Sequence, residues 1–253
     1  MENRAMKTCL EVRHLGKQYG GQRVLRDINF SLPEGQVLGI IGPNGAGKTT
    51  LFNIIAGWIS PSEGEVLWRG ENITRRSPDR LCREGLARTF QIPQVFPAMS
   101  VLENVLLGAW FGQEPPPREL QARERALNLL EMVGLRGKQH TLARELTLMQ
   151  QRLLELARAL ATEPQLLLLD EIAAGLSLKA VNQLTELILR QRDQGLTLLL
   201  TDHLLNLVVP VSDRLLALDN GEIIAAGPPQ ALLRDPRVES AYLGTGEVAG
   251  EEG

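Results

Sequence analysis

The sequence predicts an α/β fold: a parallel sheet that carries an inserted helical segment and is flanked by an antiparallel β patch. Three observations predict it. Short, almost wholly apolar runs at Val37–Ile41, Gln165–Leu169 and Leu196–Leu200 have the length and composition of strands buried on both faces. Between the first and second of these, from about Ile92 to Glu163, apolar residues recur at helical spacing. Ahead of Val37, Leu10 and Val12, then Val24, Ile28, Phe30 and Leu32, fall in short alternating runs broken at Gly20-Gly21 and Pro33-Glu34-Gly35.

Each element follows in order. The strand Val37–Ile41 runs into a Gly-rich turn and then a helix over about Lys48–Ala56. Val66–Trp68 adds a short strand. Ser77-Pro78 reads as an N-cap followed by Pro at the first helical position, and Gly85 ends that helix. Ser100-Val-Leu-Glu103 is a capping box and predicts a helix to about Ala109. Pro115-Pro116-Pro117 marks a rigid connection. Leu120, Leu127, Leu130 and Val133 then keep a helical period that stops near Gly134. Thr147-Leu-Met-Gln150 is a second capping box, opening a helix to about Ala161. Strand patterns return at Gln165–Leu169, Leu196–Thr201, Leu215–Leu218 and Glu222–Ala225, the last two joined by an Asn220-Gly221 hairpin turn. The Gly/Glu-rich stretch Gly244–Gly253 is expected to fray. The expected division is 1–91 with 164–243 as the core, 92–163 as an inserted helical lobe, and 244–253 as a tail.

Composition narrows the function. The 253 residues, 43% hydrophobic and 23% charged, suffice for one sizeable core with a smaller lobe. A net charge of −3 gives no positive field for nucleic acid. Cys9 and Cys82 stand far apart, with neither metal-ligand spacing nor a disulfide framework, which suggests a reducing compartment. No run approaches the roughly eighteen apolar residues of a spanning helix. The polar start, Met1–Thr8, has no signal-peptide core. Work at a membrane would therefore go through partners.

The chemistry begins at Gly42-Pro43-Asn44-Gly45-Ala46-Gly47-Lys48-Thr49, followed by Thr50. It fits G-x-x-x-x-G-K-[ST], a pattern expected by chance in on the order of 1% of such chains when Gly is about 7% of residues. An apolar strand precedes it and a helix follows, as a phosphate loop needs. Glycines let successive backbone N–H groups curl around phosphate oxygens, and the helix N-terminus adds its dipole. Lys48 offers a point charge to the β and γ phosphates, and the Thr49 hydroxyl can ligate Mg²⁺. Leu166–Leu169 then delivers Asp170 to the Mg²⁺ shell, beside Glu171, which can polarise an attacking water. His203 follows another apolar strand and could reach the γ-phosphate. Gln91, at the junction with the helical segment, could sense Mg²⁺ or water.

With these residues in this order, the chain resembles the nucleotide-binding subunits of ABC transporters from about Leu10 to Gly244. The resemblance implies a P-loop NTPase (RecA-like) core with an antiparallel β subdomain and an inserted α-helical subdomain. It implies that Tyr19 stacks on adenine, that Gln91 in Ala87-Arg-Thr-Phe-Gln91 is the Q-loop glutamine, that Asp170 and Glu171 are the Walker B pair, and that His203 is the switch histidine. Gly85-Leu-Ala-Arg-Thr-Phe-Gln91, Val95-Phe-Pro-Ala-Met-Ser-Val-Leu-Glu-Asn-Val105, Ala174-Gly-Leu176 and Leu233-Arg-Asp-Pro-Arg-Val-Glu-Ser-Ala-Tyr-Leu-Gly244 are most similar to importers of branched-chain or other hydrophobic amino acids. Importers of urea or short amides share much of this. The resemblance implies ATP and Mg²⁺ as ligands, a second ATP-binding subunit, two membrane permease subunits and a substrate-binding protein. It places the chain peripherally on the cytoplasmic face of the inner membrane. The segment Ile92–Leu106, with Ile92, Val95, Phe96 and Met99, is where the permease's coupling helix is expected.

The sequence departs from the family at its signature, L-S-G-G-Q, which faces the opposite subunit's nucleotide. Here it reads Leu146-Thr147-Leu148-Met149-Gln150. Thr147 keeps a capping hydroxyl, but Met149 stands where a glycine lets amides approach phosphate. Ser177 stands where the D-loop has Asp or Asn. One reading is tolerance. The other, expected from sequence, is a heterodimer in which Met149 weakens the opposite site, so that its removal raises basal turnover. A DNA- or ribosome-directed ATPase is disfavoured by the single cassette and the missing basic tail. A purely regulatory nucleotide binder is disfavoured by Lys48, Glu171 and His203.

Overall fold

The computed structural model describes residues 7–243, so the expected tail, 244–253, lies outside the described residues. Two sheets organise it. In the first, β1 (Thr8–Tyr19) pairs antiparallel with β2 (Gln22–Pro33) on one side. On its other side it pairs with β4 (Glu63–Trp68), which carries the short β5 (Glu71–Asn72). Of the expected alternation, Leu10, Val12, Ile28 and Leu32 enter the core, while Val24 and Phe30 are only partly buried; Leu15 and Leu25 are buried instead, because register shifts between β1 and β2 interrupt the alternation.

The second sheet has the order β10-β9-β3-β8-β7-β6. Its strands are β3 (Val37–Ile41), β6 (Leu86–Arg88), β7 (Leu166–Asp170), β8 (Thr197–Thr201), β9 (Arg214–Asp219) and β10 (Glu222–Gly227). All run parallel except the terminal β9–β10 hairpin. Both faces are covered, as uniformly apolar strands require. Val37, Ile41, Leu167, Leu169, Leu198, Leu200, Leu215 and Ala217 enter one core cluster. Their neighbours Leu38, Ile40, Leu166, Leu168, Leu199, Leu216 and Leu218 enter the other, together with Leu51, Phe52, Ile54 and Ile55 of α1 (Lys48–Ile55). The first cluster also holds helices α3 (Val101–Phe111), α4 (Glu119–Met132), α5 (Leu148–Ala161), α6 (Leu178–Asp193) and α7 (Leu205–Val211), while α2 (Pro78–Arg83) packs on β6. Short helices α8 (Pro229–Leu232) and α9 (Pro236–Leu243) follow the hairpin.

Both predicted capping boxes form. Ser100 accepts from the Glu103 amide and Thr147 from the Gln150 amide, each with the reciprocal bond. The face of α4 differs from the leucine pattern. Ala122, Ala126, Leu129 and Leu130 are buried, whereas Leu120 is 82% exposed and Leu127 is also exposed. Alanines let α4 approach α3 and α5 closely, and that contact sets the buried face. Helix α6, absent from the sequence reading, is capped by Ser177 and buries Ala180, Val181, Leu184, Leu187 and Ile188 at three- and four-residue spacing. The parallel strands β3, β7 and β8 end side by side, and their C-terminal ends carry the predicted chemistry, as open α/β sheets place it.

Candidate functional site

The loop after β3 is fixed from below by the β9–β10 hairpin. The Gly221 amide donates to the Ala46 carbonyl (3.1 Å), and the Gly221 carbonyl accepts from Arg26 on β2. Two glycines of the loop are required by this packing. A Cβ on Gly42 would lie 2.0 Å from the Leu218 carbonyl oxygen. Gly47, at φ +107°, lies against Leu25 and Val24 of β2 and serves as N-cap of α1. Lys48 is buried and donates to the loop's own Gly42 and Pro43 carbonyls, at 2.5 and 2.9 Å. Thr49 and Thr50 follow in the first turn, Thr49 exposed. Asn44 and Gly45 are exposed at the tip of the loop, with Pro43 and Ala46 buried on either side. Tyr19 ends β1 with its ring exposed beside the Lys17 ammonium, 4.8 Å from the ring centre.

At the end of β7, Asp170 is buried among charges. Its Oδ2 accepts from Arg88 Nη2 at 2.8 Å, with side chains only 1% and 5% exposed. Arg88 also donates to Asn53 Oδ1 (2.6 Å) and lies over the Phe90 ring. Asp170 Oδ1 has no protein partner. Burial pushes the Asp170 carboxyl above its ordinary range, against the pull of Arg88 and, more weakly, Lys48. Among the described residues, no three or more His, Cys, Asp or Glu side chains group to hold a metal by themselves. A lone carboxylate oxygen beside a phosphate loop fits Mg²⁺, which takes one or two protein ligands and completes its shell with phosphate and water.

Glu171 is held at every polar group. It sits at φ +48°, a conformation rare outside glycine, and its amide donates to the Thr201 carbonyl at 2.8 Å. Its carbonyl accepts from Arg152 Nη1 at 2.6 Å. One carboxylate oxygen contacts His203 Nε2 at 2.8 Å and the other accepts from Gln91 Nε2 at 2.5 Å. Gln91, Glu171 and His203, far apart in sequence, thus meet at one carboxylate. Asp202 braces the neighbouring loops, its two oxygens accepting from the Ala173 and Leu204 amides at 2.8 and 3.0 Å, and burial raises its carboxyl.

Arg88, Arg152 and Asp202 were missed by sequence reasoning. Each is a polar residue within a motif-bearing stretch, and its role depends on a partner from 19 to 82 residues away. A lone Arg in Ala87-Arg-Thr carried no signal; a charged residue on a three-residue strand next to the Walker-like Asp is what would have found it.

The signature residues occupy the start of α5. Leu146 is buried, Thr147 is the N-cap and Leu148 is exposed. Gln150 closes the capping box. Met149 lines a cleft of about 250 Å³ with Met132, Leu153, Leu184 and Leu187 of the same chain. Near residues 92–96, Ile92 is 73% exposed and Phe96 half-exposed against Arg158, whereas Val95 packs on the core and Met99 is partly covered. Phe96 and Val95 share a groove of about 750 Å³ with Trp58, Phe90 and Phe111. Among the described residues no helix is long and apolar enough to cross a membrane.

Comparison with known proteins gives this arrangement a context. The family model described as ABC transporter matches residues 25–174. The high-affinity branched-chain amino acid transport ATP-binding protein LivG of Escherichia coli is 36% identical over 248 residues, covering 93% of this chain and 97% of that protein. A solved ADP conformation of an ATP-binding cassette of an ABC transporter superposes with a TM-score of 0.82 at 33% identity, covering 94% of this chain and 99% of the other. A dimeric bacterial ABC transporter cassette gives 0.81 at 27% identity, over 87% and 98%. The family match spans more than half of the sequence and the likeness to relatives nearly all of it: this chain belongs to the ABC transporter family, as one of its ATP-hydrolysing, ATP-binding cassettes.

Proposed function

We propose that this cassette powers uptake of branched-chain or similar hydrophobic amino acids, bound peripherally to the cytoplasmic face of the membrane through two permease subunits and paired with a second cassette. A substrate-binding protein would deliver the amino acid. The amino-acid reading rests on the likeness to LivG over nearly the whole chain, and the ATP hydrolysis that powers it on the convergence of Gln91 and His203 on the two oxygens of Glu171, beside an Asp170 oxygen left for a cation. In this reading the loop Gly42–Thr50 cradles the triphosphate and Tyr19 faces the adenine. Lys48 leaves the Gly42 and Pro43 carbonyls for the phosphates. Thr49, Asp170 and Gln91 would hold Mg²⁺, which supplies charge neutralisation at the β and γ phosphates. Glu171 takes the proton of the attacking water and His203 orients that carboxylate towards the γ-phosphate. The residues 92–163 form the lobe that carries the signature, and the groove at Phe96 takes the permease. Phe96 in a groove with Trp58, Phe90 and Phe111, and the exposed Ile92 nearby in sequence, favour that docking.

The test is uptake into vesicles holding the complete transporter: ATP-dependent accumulation of labelled leucine, isoleucine or valine is expected, and Phe96→Asp should release the cassette from the permeases. Uptake of urea or acetamide with none of leucine would refute the substrate assignment.

The placement of Met149 supports tolerance at the signature. Its side chain is half-buried and lines a cleft within its own chain, and Thr147 still caps the helix aimed at the partner's nucleotide. Met149→Gly is therefore expected to leave ATP turnover of the assembled dimer within about twofold, and to lower stability by about 1 kcal/mol or more through lost packing and added backbone freedom. A several-fold rise in basal turnover would instead support a signature weakened by Met149.

A further inference from the structure

Helix α5 grips the backbone on both sides of Gln91. Glu155, 2% exposed, places one carboxylate oxygen 3.1 Å from the Phe90 amide and the other 2.8 Å from the Gln94 amide. Arg158, one turn along, donates to the Gln94 carbonyl. Residue 94 is thus held at both backbone groups by the same helix. Between the two anchored amides, Gln91 reaches Glu171, whose carbonyl is itself held by Arg152, one turn earlier on α5. A buried carboxylate carries a desolvation cost, and burial indeed raises the Glu155 carboxyl. Two main-chain donors and the nearby Arg158 guanidinium, 3.9 Å away, offset it. A packing role does not need a charge there; a leucine would fill the space.

We propose that Glu155 is a positioning residue for hydrolysis: by accepting the Phe90 and Gln94 amides it sets the height of the loop between them, and so delivers Gln91 to Glu171. The inference rests on the reading of Glu171 and Gln91 as hydrolytic residues. Phe90, Gln94, Glu155 and Arg158 also line the groove at Phe96, so an occupant of that groove would press on the same clamp.

Glu155→Gln tests it on the assembled transporter, because the change keeps shape and volume. One carboxylate oxygen becomes an NH₂ donor facing a backbone donor, so one anchor is lost. Misplacement of a group by about an ångström costs on the order of tenfold to a hundredfold in rate. The expected result is a fall in kcat of that size with KM for ATP and binding of labelled nucleotide within about twofold of wild type. Unchanged or raised kcat overturns the proposal, as does a rise in KM with kcat intact. A measurement on the wild-type chain guards against a variant that fails to fold. The Phe90 and Gln94 amides should exchange with solvent deuterium at least about tenfold more slowly than the Ile92 amide between them. Equal exchange at all three positions also overturns it. Failure of the wild-type complex to hydrolyse ATP would count against the hydrolytic reading instead, and the exchange pattern would still judge the clamp.

Discussion

Glu171→Gln should lower ATP turnover by about 10²- to 10⁴-fold, the range contributed by a positioned general base, while leaving nucleotide binding within a few fold. The substitution changes almost nothing else. The amide of residue 171 still donates to the Thr201 carbonyl, and Arg152 still holds the carbonyl. The left-handed backbone at this position is set by those two contacts, so the side chain emerges in the same direction. What disappears is the negative charge that can accept a proton between Gln91 and His203. With ATP bound and hydrolysis blocked, the two-cassette assembly should accumulate closed, because closure depends on differential affinity for nucleotide rather than on its cleavage. Single-turnover hydrolysis and size-exclusion of the ATP-loaded cassettes measure both halves. Turnover within about threefold of wild type would remove Glu171 from the role of base. Comparing this variant with the equivalent change in the companion cassette also decides symmetry. Equal losses fit two working sites. A much milder loss in the companion fits a pair with one weakened site.

The second large effect is on the fold at the site. Arg88→Met should cost about 3–5 kcal/mol of stability, the range for breaking a buried ion pair from one side. Arg88 is the partner of Asp170 Oδ2 and of Asn53 Oδ1, and its guanidinium is sandwiched towards the Phe90 and Phe52 rings. Methionine matches the stem but leaves the Asp170 carboxylate buried with neither oxygen satisfied by protein. Burial already pushes that carboxyl up and the guanidinium down, so desolvation is the larger influence on both, and each tolerates its charge through the other. Pairing the change with Asp170→Asn should recover much of the loss, giving a strongly non-additive cycle. Chemical denaturation of the four proteins measures it. A loss under about 1 kcal/mol for Arg88→Met alone, or simple additivity, would show that Arg88 does not hold Asp170. In activity, a carboxylate free to rotate should also weaken Mg²⁺-dependent nucleotide binding.

What was legible in the sequence, and what was not, follows from where the information lies. The strand runs, the two capping boxes and the phosphate loop are contiguous signals, and the structure forms each one. Their spacing relative to one another is what made Asp170, Glu171 and His203 stand out. Arg88, Arg152, Asp202 and Glu155 were invisible because each is defined by a partner distant in sequence: the Asp170 carboxylate for Arg88, and for the other three backbone groups that every residue carries. The exposed leucines of α4 show the complementary limit. Helical period was readable, but the buried face was chosen by the close approach that Ala122 and Ala126 permit. Likewise Gly42 and Gly47, read as room for phosphate, are also demanded by β2 and β9 packed beneath the loop. Met149 stands out in the sequence only by its departure from the family pattern; that it lines a cleft with Met132, Leu153, Leu184 and Leu187 depends on how the helices assemble.

Titrating labelled ATP onto the cassette, with its companion present and with or without Mg²⁺, measures the central proposal directly. Wild type should bind with a strong requirement for magnesium, and Asp170→Asn should retain binding but lose most of that requirement, because the oxygen left without a protein partner would no longer be an anionic ligand. Magnesium dependence as steep in Asp170→Asn as in wild type, or nucleotide uptake indifferent to magnesium in both, would contradict it.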